Sequence, residues 1–128
     1  YKYLILCLFF YTCTTVDNKN INKSYYSNGN LEYSAEMFNG KIDGEVKSYY
    51  LSGQLKNKVN YVNGLIHGKW IEYYEDGTIK YIAHYFMNSL EGTTLEYYSN
   101  GNLKSKSQYI DDVLLESEKW TIDGTLID

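Results

Sequence analysis

Two histidines (His67, His84), two cysteines (Cys7, Cys13) and two acidic pairs (Glu75-Asp76, Asp111-Asp112) are the residues of this chain best equipped for chemistry. Zinc needs a tetrahedral set of N or S ligands, and isolated histidines without a Cys or carboxylate cluster at ligand spacing do not supply one. His67 precedes Gly68 in a turn signal, and His84 falls on a polar strand face with Glu36, Asn60 and Gln108. A nucleophilic serine needs an oriented base and an oxyanion site; Ser27, Ser52, Ser89 and Ser99 sit in turn signals with neither. Glu75-Asp76 belongs to a hairpin signal. Asp111-Asp112 has oxygen ligands suited to Ca²⁺ but reads as an exposed turn. The glycines separate strand patterns from one another, with no helix following, so they make no phosphate loop. The expectation is a non-enzymatic chain without catalytic residue, metal, cofactor or small-molecule substrate.

The elements that position these residues repeat. YYSNGNL stands at residues 25–31 and again at 97–103, and the Tyr pairs begin at Tyr25, Tyr49, Tyr73 and Tyr97, twenty-four residues apart. Gly29, Gly53, Gly77 and Gly101 keep that step, as do Leu31, Leu55, Ile79 and Leu103. A second turn follows at Asn39-Gly40, Asn63-Gly64, Met87-Asn88 and Asp111-Asp112. A further glycine closes it at Gly44, Gly68 and Gly92, with Glu116 in the fourth unit. A partial copy restarts at Trp120, one residue early, with its turn at Gly124. Asn-Gly and Asp-Gly supply positive φ at low cost, and Asn88 is the next best residue for that region. Between turns the residues alternate: Leu31, Tyr33, Ala35 and Met37 share one predicted face, with Glu32, Ser34 and Glu36 on the other. The expected fold is all-β: an elongated single-layer antiparallel meander of stacked hairpins, about nine strands extending ~40 Å. Its units would be residues 25–48, 49–72, 73–96 and 97–119, with a partial copy at 120–128, stabilised by nearest neighbours.

Residues 1–13 differ from the rest. Lys2 is followed by an apolar run over 3–11, then small and polar residues around Cys13, then a hydrophilic stretch at 14–24 that reads as a polar tether. Basic, apolar, cleavage zone is the order of a secretory leader, and the apolar run is shorter than the ~18 residues of a spanning helix. Because residue 1 is Tyr, the natural start is expected upstream. A Cys closing an apolar run ahead of a polar tether resembles a bacterial lipoprotein signal, which implies lipidation of Cys13, although Phe10, Tyr11 and Thr12 depart from that pattern. A cleaved signal without lipid, an uncleaved inner-membrane anchor and a buried N-terminal strand are the alternatives. The expected location is the cell envelope, lipid-anchored or secreted. The formal charge of −4 argues against nucleic acid. Lys47 to Lys69 holds four lysines and no acid, whereas residues 109–128 hold six acids and only Lys119.

The unit Y-Y-x-x-G-x-[LI]-x-x-x-x-x-[YM]-x-N-G-x-x-x-G resembles the MORN repeat, in the bacterial MORN-variant form of YwqK-type proteins. NGLIHG at 63–68 followed by KWIEYYEDG at 69–77 carries the resemblance most fully. It implies a single-layer sheet of hairpins used for protein contact, in some cases at membrane lipids, and an antitoxin- or immunity-like role that neutralises a toxin by binding. Residues that break the repeat on exposed faces are the candidates for recognition. They include Lys56, Lys58, Lys104 and Lys106, expected on one strand face; Trp70 and Ile71; Phe86 and Met87 in the third unit's turn with Asn88, Ser89 and Leu90; and the acidic fourth unit. Trp70 reads either as an exposed anchor or as core packing. The alternative function is a structural or membrane-surface module contacting anionic lipid through the Lys-bearing face.

Overall fold

The computed structural model describes residues 18–127. They form one antiparallel sheet of eleven strands: β1 Lys19–Tyr25, β2 Leu31–Phe38, β3 Lys41–Tyr49, β4 Leu55–Val62, β5 Leu65–Tyr73, β6 Ile79–Phe86, β7 Ser89–Leu90, β8 Gly92–Tyr97, β9 Leu103–Ile110, β10 Val113–Trp120 and β11 Leu126–Ile127. The spatial order follows the sequence, with the short β7 paired to β6 beside the main path. The single-layer meander is as expected. Two strands more than expected arise because a break at Glu91, beside the bulge glycine Gly92, divides one strand into β7 and β8, and because β1 exists at all. Residues 19–24, expected as tether, instead pair with β2, from Lys19 opposite Phe38 to Ser24 opposite Tyr33. The polar side chains of β1 mislead because an edge strand needs only its backbone paired.

The two turn types look alike in sequence and fold differently. At Asn39-Gly40, Asn63-Gly64, Met87-Asn88 and Asp111-Asp112 both residues have positive φ, which matches the hairpin twist. At Gly29, Gly53, Gly77, Gly101 and Gly124 only the glycine is left-handed. Its amide bonds the Tyr26, Tyr50, Tyr74, Tyr98 or Thr121 carbonyl three residues back, each at 2.9 Å. The preceding Asn or Asp acts through its side chain: Asn28 and Asn100 Oδ1 each accept the amide two residues on at 3.0 Å. Their Nδ2, with those of Asn30 and Asn102, donates to the next turn at Leu51 and Ile122 carbonyls. That staple explains why YYSNGNL recurs.

The glycines at 44, 68 and 92 lie inside the strand tract, not in the turn. Each has positive φ and lies in a bulge: Met37 pairs Ile42 but Ala35 already pairs Val46 around Gly44, Tyr61 pairs Ile66 but Val59 pairs Trp70 around Gly68, and Tyr85 pairs Leu90 but Ile82 pairs Leu95 around Gly92. A methyl at Gly44 would also collide with Glu36, whose Cβ would lie 2.9 Å from it. In the fourth unit Glu116 has ordinary φ and the bulge is one residue shorter, Tyr109 pairing Leu114 and Gln108 pairing Glu116. That missing residue is why the last copy restarts early.

One face carries a ladder of small buried residues, Ala35, Val46 and Val59 in register, then Ala83, Thr94 and Ser107, with the larger, half-buried Trp70 in register between Val59 and Ala83. Tyr33, Met37, Ile42, Tyr61, Ile66 and Trp70 cover its N-terminal half. Leu31, expected on this face, stands on the other beside Ser34, Glu36, Lys47 and Tyr49. A register shift where Tyr25 meets Leu31 turns it over, and the same shift recurs at Tyr49, Tyr73 and Tyr97.

The second tyrosine of each pair clasps the next unit. Tyr26, Tyr50 and Tyr74 hydroxyls donate to the carbonyls of Tyr49, Tyr73 and Tyr97 at 2.7 Å, and Tyr98 to that of Trp120 at 2.9 Å. Tyr50→Phe leaves the Tyr73 carbonyl without this donor, and is expected to cost about 1 kcal/mol in a denaturant titration. Tyr49→Phe, which keeps the ring and removes a hydroxyl that makes no clasp, should stay within about 0.5 kcal/mol; equal losses would remove the clasp from the account.

Candidate interaction surface

The register shifts also divide the lysines. Lys80 Nζ lies 2.8 Å from Glu72 Oε1, and Glu72 pairs Tyr81, so Lys80 and Tyr81 share the core face. Lys104 does the same with Glu96 at 2.7 Å. Lys56, Lys80 and Lys104 lie over the rings of the clasping Tyr50, Tyr74 and Tyr98 at 5.7, 6.0 and 5.9 Å. Such a cation over an aromatic face is stabilising. Lys56 and Lys104, expected on one face with Lys58 and Lys106, therefore belong to the clasp. At a bulge two successive side chains take the same side, which simple alternation does not foresee.

Lys58 and Lys106 remain on the opposite face, where they bracket an apolar row. In register across the sheet run Lys47, Lys58, Ile71, Ile82, Leu95, Lys106 and Glu118. Ile71 is buried, while Ile82 and Leu95 are half-buried. Lys47 faces Lys58 directly, an unfavourable pairing of like charges. Glu45 forms an ion pair with Lys47, and Lys47 is held protonated above the usual lysine range by that hydrogen bond. Lys58 lines a shallow hollow with Glu45, Asn60, Lys69 and Ile71. Trp70, one residue from Ile71, faces the other way and packs on the Ala35–Val46–Val59 core, with Tyr85 at 6.0 Å. Of its two readings the structure supports packing.

Phe86 and Met87 lie apart from both rows, at the two-residue turn that ends β6, and both are exposed. His67 packs tilted against Phe86 with ring centroids 5.3 Å apart. Asp111-Asp112 keeps the turn geometry of the other units: Asp112 Oδ1 accepts the Leu90 amide at 2.7 Å and Oδ2 the Ser89 hydroxyl at 3.1 Å. Among the described residues no group of three or more His, Cys, Asp or Glu gathers as a metal site. Cys13 lies outside the described residues. Ile82 and Leu95 escaped the sequence reading although both depart from the repeat, Ile82 standing where Ser34, Lys58 and Lys106 do and Leu95 where Lys47 and Ile71 do. Their signal was the run of apolar residues at 71, 82 and 95, which becomes a row only once the strand register is known.

A family model described as MORN repeat variant matches residues 20–41, 42–63, 66–86 and 90–111, more than half of the chain. Its first match begins inside β1, in agreement with the pairing of that strand. No curated protein matches the chain.

Four tyrosines, Tyr33, Tyr50, Tyr81 and Tyr85, resist ionisation. Burial, with Tyr85 and Tyr109 nearby, pushes Tyr81 up to about 12, and burial also raises Tyr33, Tyr50 and Tyr85. A phenol that keeps its proton longer when folded stabilises the fold below the unfolded value near 10 and loses that contribution as pH rises towards 12. Denaturant midpoints should therefore fall steadily between pH 9 and pH 12 as tyrosinate absorbance grows. A folded chain whose tyrosines all titrate near 10 would contradict the burial.

Proposed function

This chain belongs to the MORN repeat variant family, and from that premise we propose that it is a protein-binding module of the bacterial cell envelope, antitoxin- or immunity-like. Repeats of this family are non-catalytic modules for protein and membrane contact. The observation that carries the reading is the row of Ile71, Ile82 and Leu95 bracketed by Lys58 and Lys106 on a continuous sheet face. An apolar centre with a charged margin is the anatomy of a protein interface. Lys58, opposed by Lys47 and not by an acid, is favourably placed for a carboxylate on a partner. The acidic fourth unit, with Asp111, Asp112, Glu116 and Glu118, gives the same module a margin of opposite sign.

The alternative of an anionic-lipid contact through one Lys-bearing face has less support, because Lys56 and Lys104 stand on the other face from Lys58 and Lys106. A protein partner that binds the immobilised chain at one-to-one stoichiometry should lose roughly tenfold or more in affinity with Ile82→Glu or Lys58→Glu. Binding that survives both variants would move the interface elsewhere, and the absence of any stoichiometric protein partner would sink the reading.

Anchoring at Cys13 completes the proposal: the lipoprotein-like order of the first thirteen residues supports a lipidated N-terminus. Intact mass spectrometry of the membrane-bound protein should show a chain starting at a diacylglyceryl-modified Cys13. An unmodified Cys13 preceded by the leader residues would overturn it.

A further inference from the structure

Exposed apolar residues also collect on one rim of the sheet. The two-residue turns stack there, each bonded to the unit before it: the Gly64 amide to the Ile42 carbonyl at 2.7 Å, Asn88 to Ile66 at 2.8 Å and Asp112 to Leu90 at 3.2 Å. On the strand ends beside them lie the pairs Val62–Leu65, Phe86–Ser89 and Ile110–Val113. Leu65, Phe86, Met87, Ile110 and Val113 are between 38 and 60% exposed. Met87 is the sharpest departure. It occupies the left-handed region at φ 49°, where the other units place Asn39, Asn63 and Asp111. An unbranched apolar side chain gains no local hydrogen bond there to offset the strain. The turn thus accepts a poorer backbone residue and displays a thioether.

The chain enters the sheet at this same rim. Asn39 donates its amide to the Asn18 carbonyl at 3.2 Å, and the Asn18 amide donates to Asn39 Oδ1 at 3.3 Å. Everything upstream of Asn18, including the apolar run at 3–11 and Cys13, is joined to the sheet beside Phe38 and Asn39. Because β1 begins at Lys19, only residues 14–17 separate Cys13 from Asn18. Five peptide steps reach at most ~18 Å. An anchor at Cys13 holds this rim, and not the rim of tyrosine turns, next to the bilayer.

We infer that the rim of two-residue turns is a lipid-facing surface, with Leu65, Phe86, Met87, Ile110 and Val113 entering the boundary between headgroups and acyl chains. The inference rests on the anchored reading proposed above and adds which edge of the sheet meets the membrane and by what chemistry. Lys19 and Lys41 lie at one end of the rim and Asp111 and Asp112 at the other. The carboxylates of Asp43, Glu91 and Asp112 accept amide hydrogen bonds at 3.4, 3.3 and 2.7 Å. No basic excess favours anionic lipid. The contact is apolar and shallow, of the kind amphipathic interfacial elements make, and zwitterionic lipid suffices for it. Both sheet faces stay free, including the row of Ile71, Ile82 and Leu95.

The full chain bound to phosphatidylcholine vesicles with brominated acyl chains tests this. A reporter in Phe86→Trp is expected to be quenched several-fold more than one in Leu51→Trp, which lies on the opposite rim, with the unsubstituted chain as background for Trp70 and Trp120. Met87→Asn restores the residue type of Asn39 and Asn63, so the turn folds at least as well. In the Phe86→Trp background it should cut rim quenching about threefold while the chain still pellets through its anchor. Equal quenching at 86 and 51, or quenching at neither in a pelleted chain, overturns the lipid-facing rim and leaves the anchor standing. A chain that does not pellet overturns both. Phe86→Trp emission already blue-shifted without vesicles, in a sedimenting dimer or in a monomer that loses the shift when residues 1–12 are deleted, gives the rim to a second copy or to the leader and likewise overturns the proposal.

Discussion

The rest of the structure depends on a tyrosine hydroxyl that reaches across one repeat to the backbone of the next. A single-layer sheet has no second layer to press against, and a lone hairpin is marginal in water. The clasp solves both difficulties with one side chain. The ring of Tyr50 covers apolar surface, its hydroxyl satisfies the Tyr73 carbonyl, and Lys56 closes over its free side. At the other rim the turns are cross-bonded by backbone and side chain together, as from the Asn88 amide to the Ile66 carbonyl and from the Ile66 amide back to Asn88 Oδ1. Each unit is therefore completed by its successor, which is the energetic pattern of a repeat array.

Much of this was legible in the sequence, because the signals were local and periodic. The step of twenty-four, the turn residues and the strand alternation identified an all-β meander without ambiguity. What escaped was everything decided by register. Leu31 was grouped with Tyr33, and Lys56 with Lys58, by counting alternate residues. A recurring bulge reverses that count at the start of every second strand. The strand character of β1 was hidden because its side chains are all exposed, so that its information lies in backbone pairing to Ala35 and its neighbours. The early restart at Trp120 was visible from the start, and its cause, the shortened bulge at Glu116, was not.

The candidate surfaces divide by what each residue already does at home. Trp70, Lys56 and Lys104 are engaged within the array. Lys58, Ile82, Leu95 and Lys106 lie in a row that makes fewer demands on its own sheet, and Phe86 and Met87 project from a turn. The two sets point in different directions. Partner contact on a face and surface contact on a rim are compatible in one molecule.

The small buried ladder changes character along its length, from Ala35, Val46 and Val59 to Thr94 and Ser107, and ends on the exposed Ser117. Hydroxyl-bearing rungs give up little on meeting water, whereas valine rungs give up their apolar burial. The array thus has a mechanical polarity. Pulled or breathing, it unzips from the fourth unit backwards, and the valine-rich half holds longest. Since β1 joins the upstream chain at that firmer half, a load borne through the N-terminus meets the strong end of the ladder first. The C-terminal strands are left as the compliant end, free to adjust their spacing to whatever lies against them.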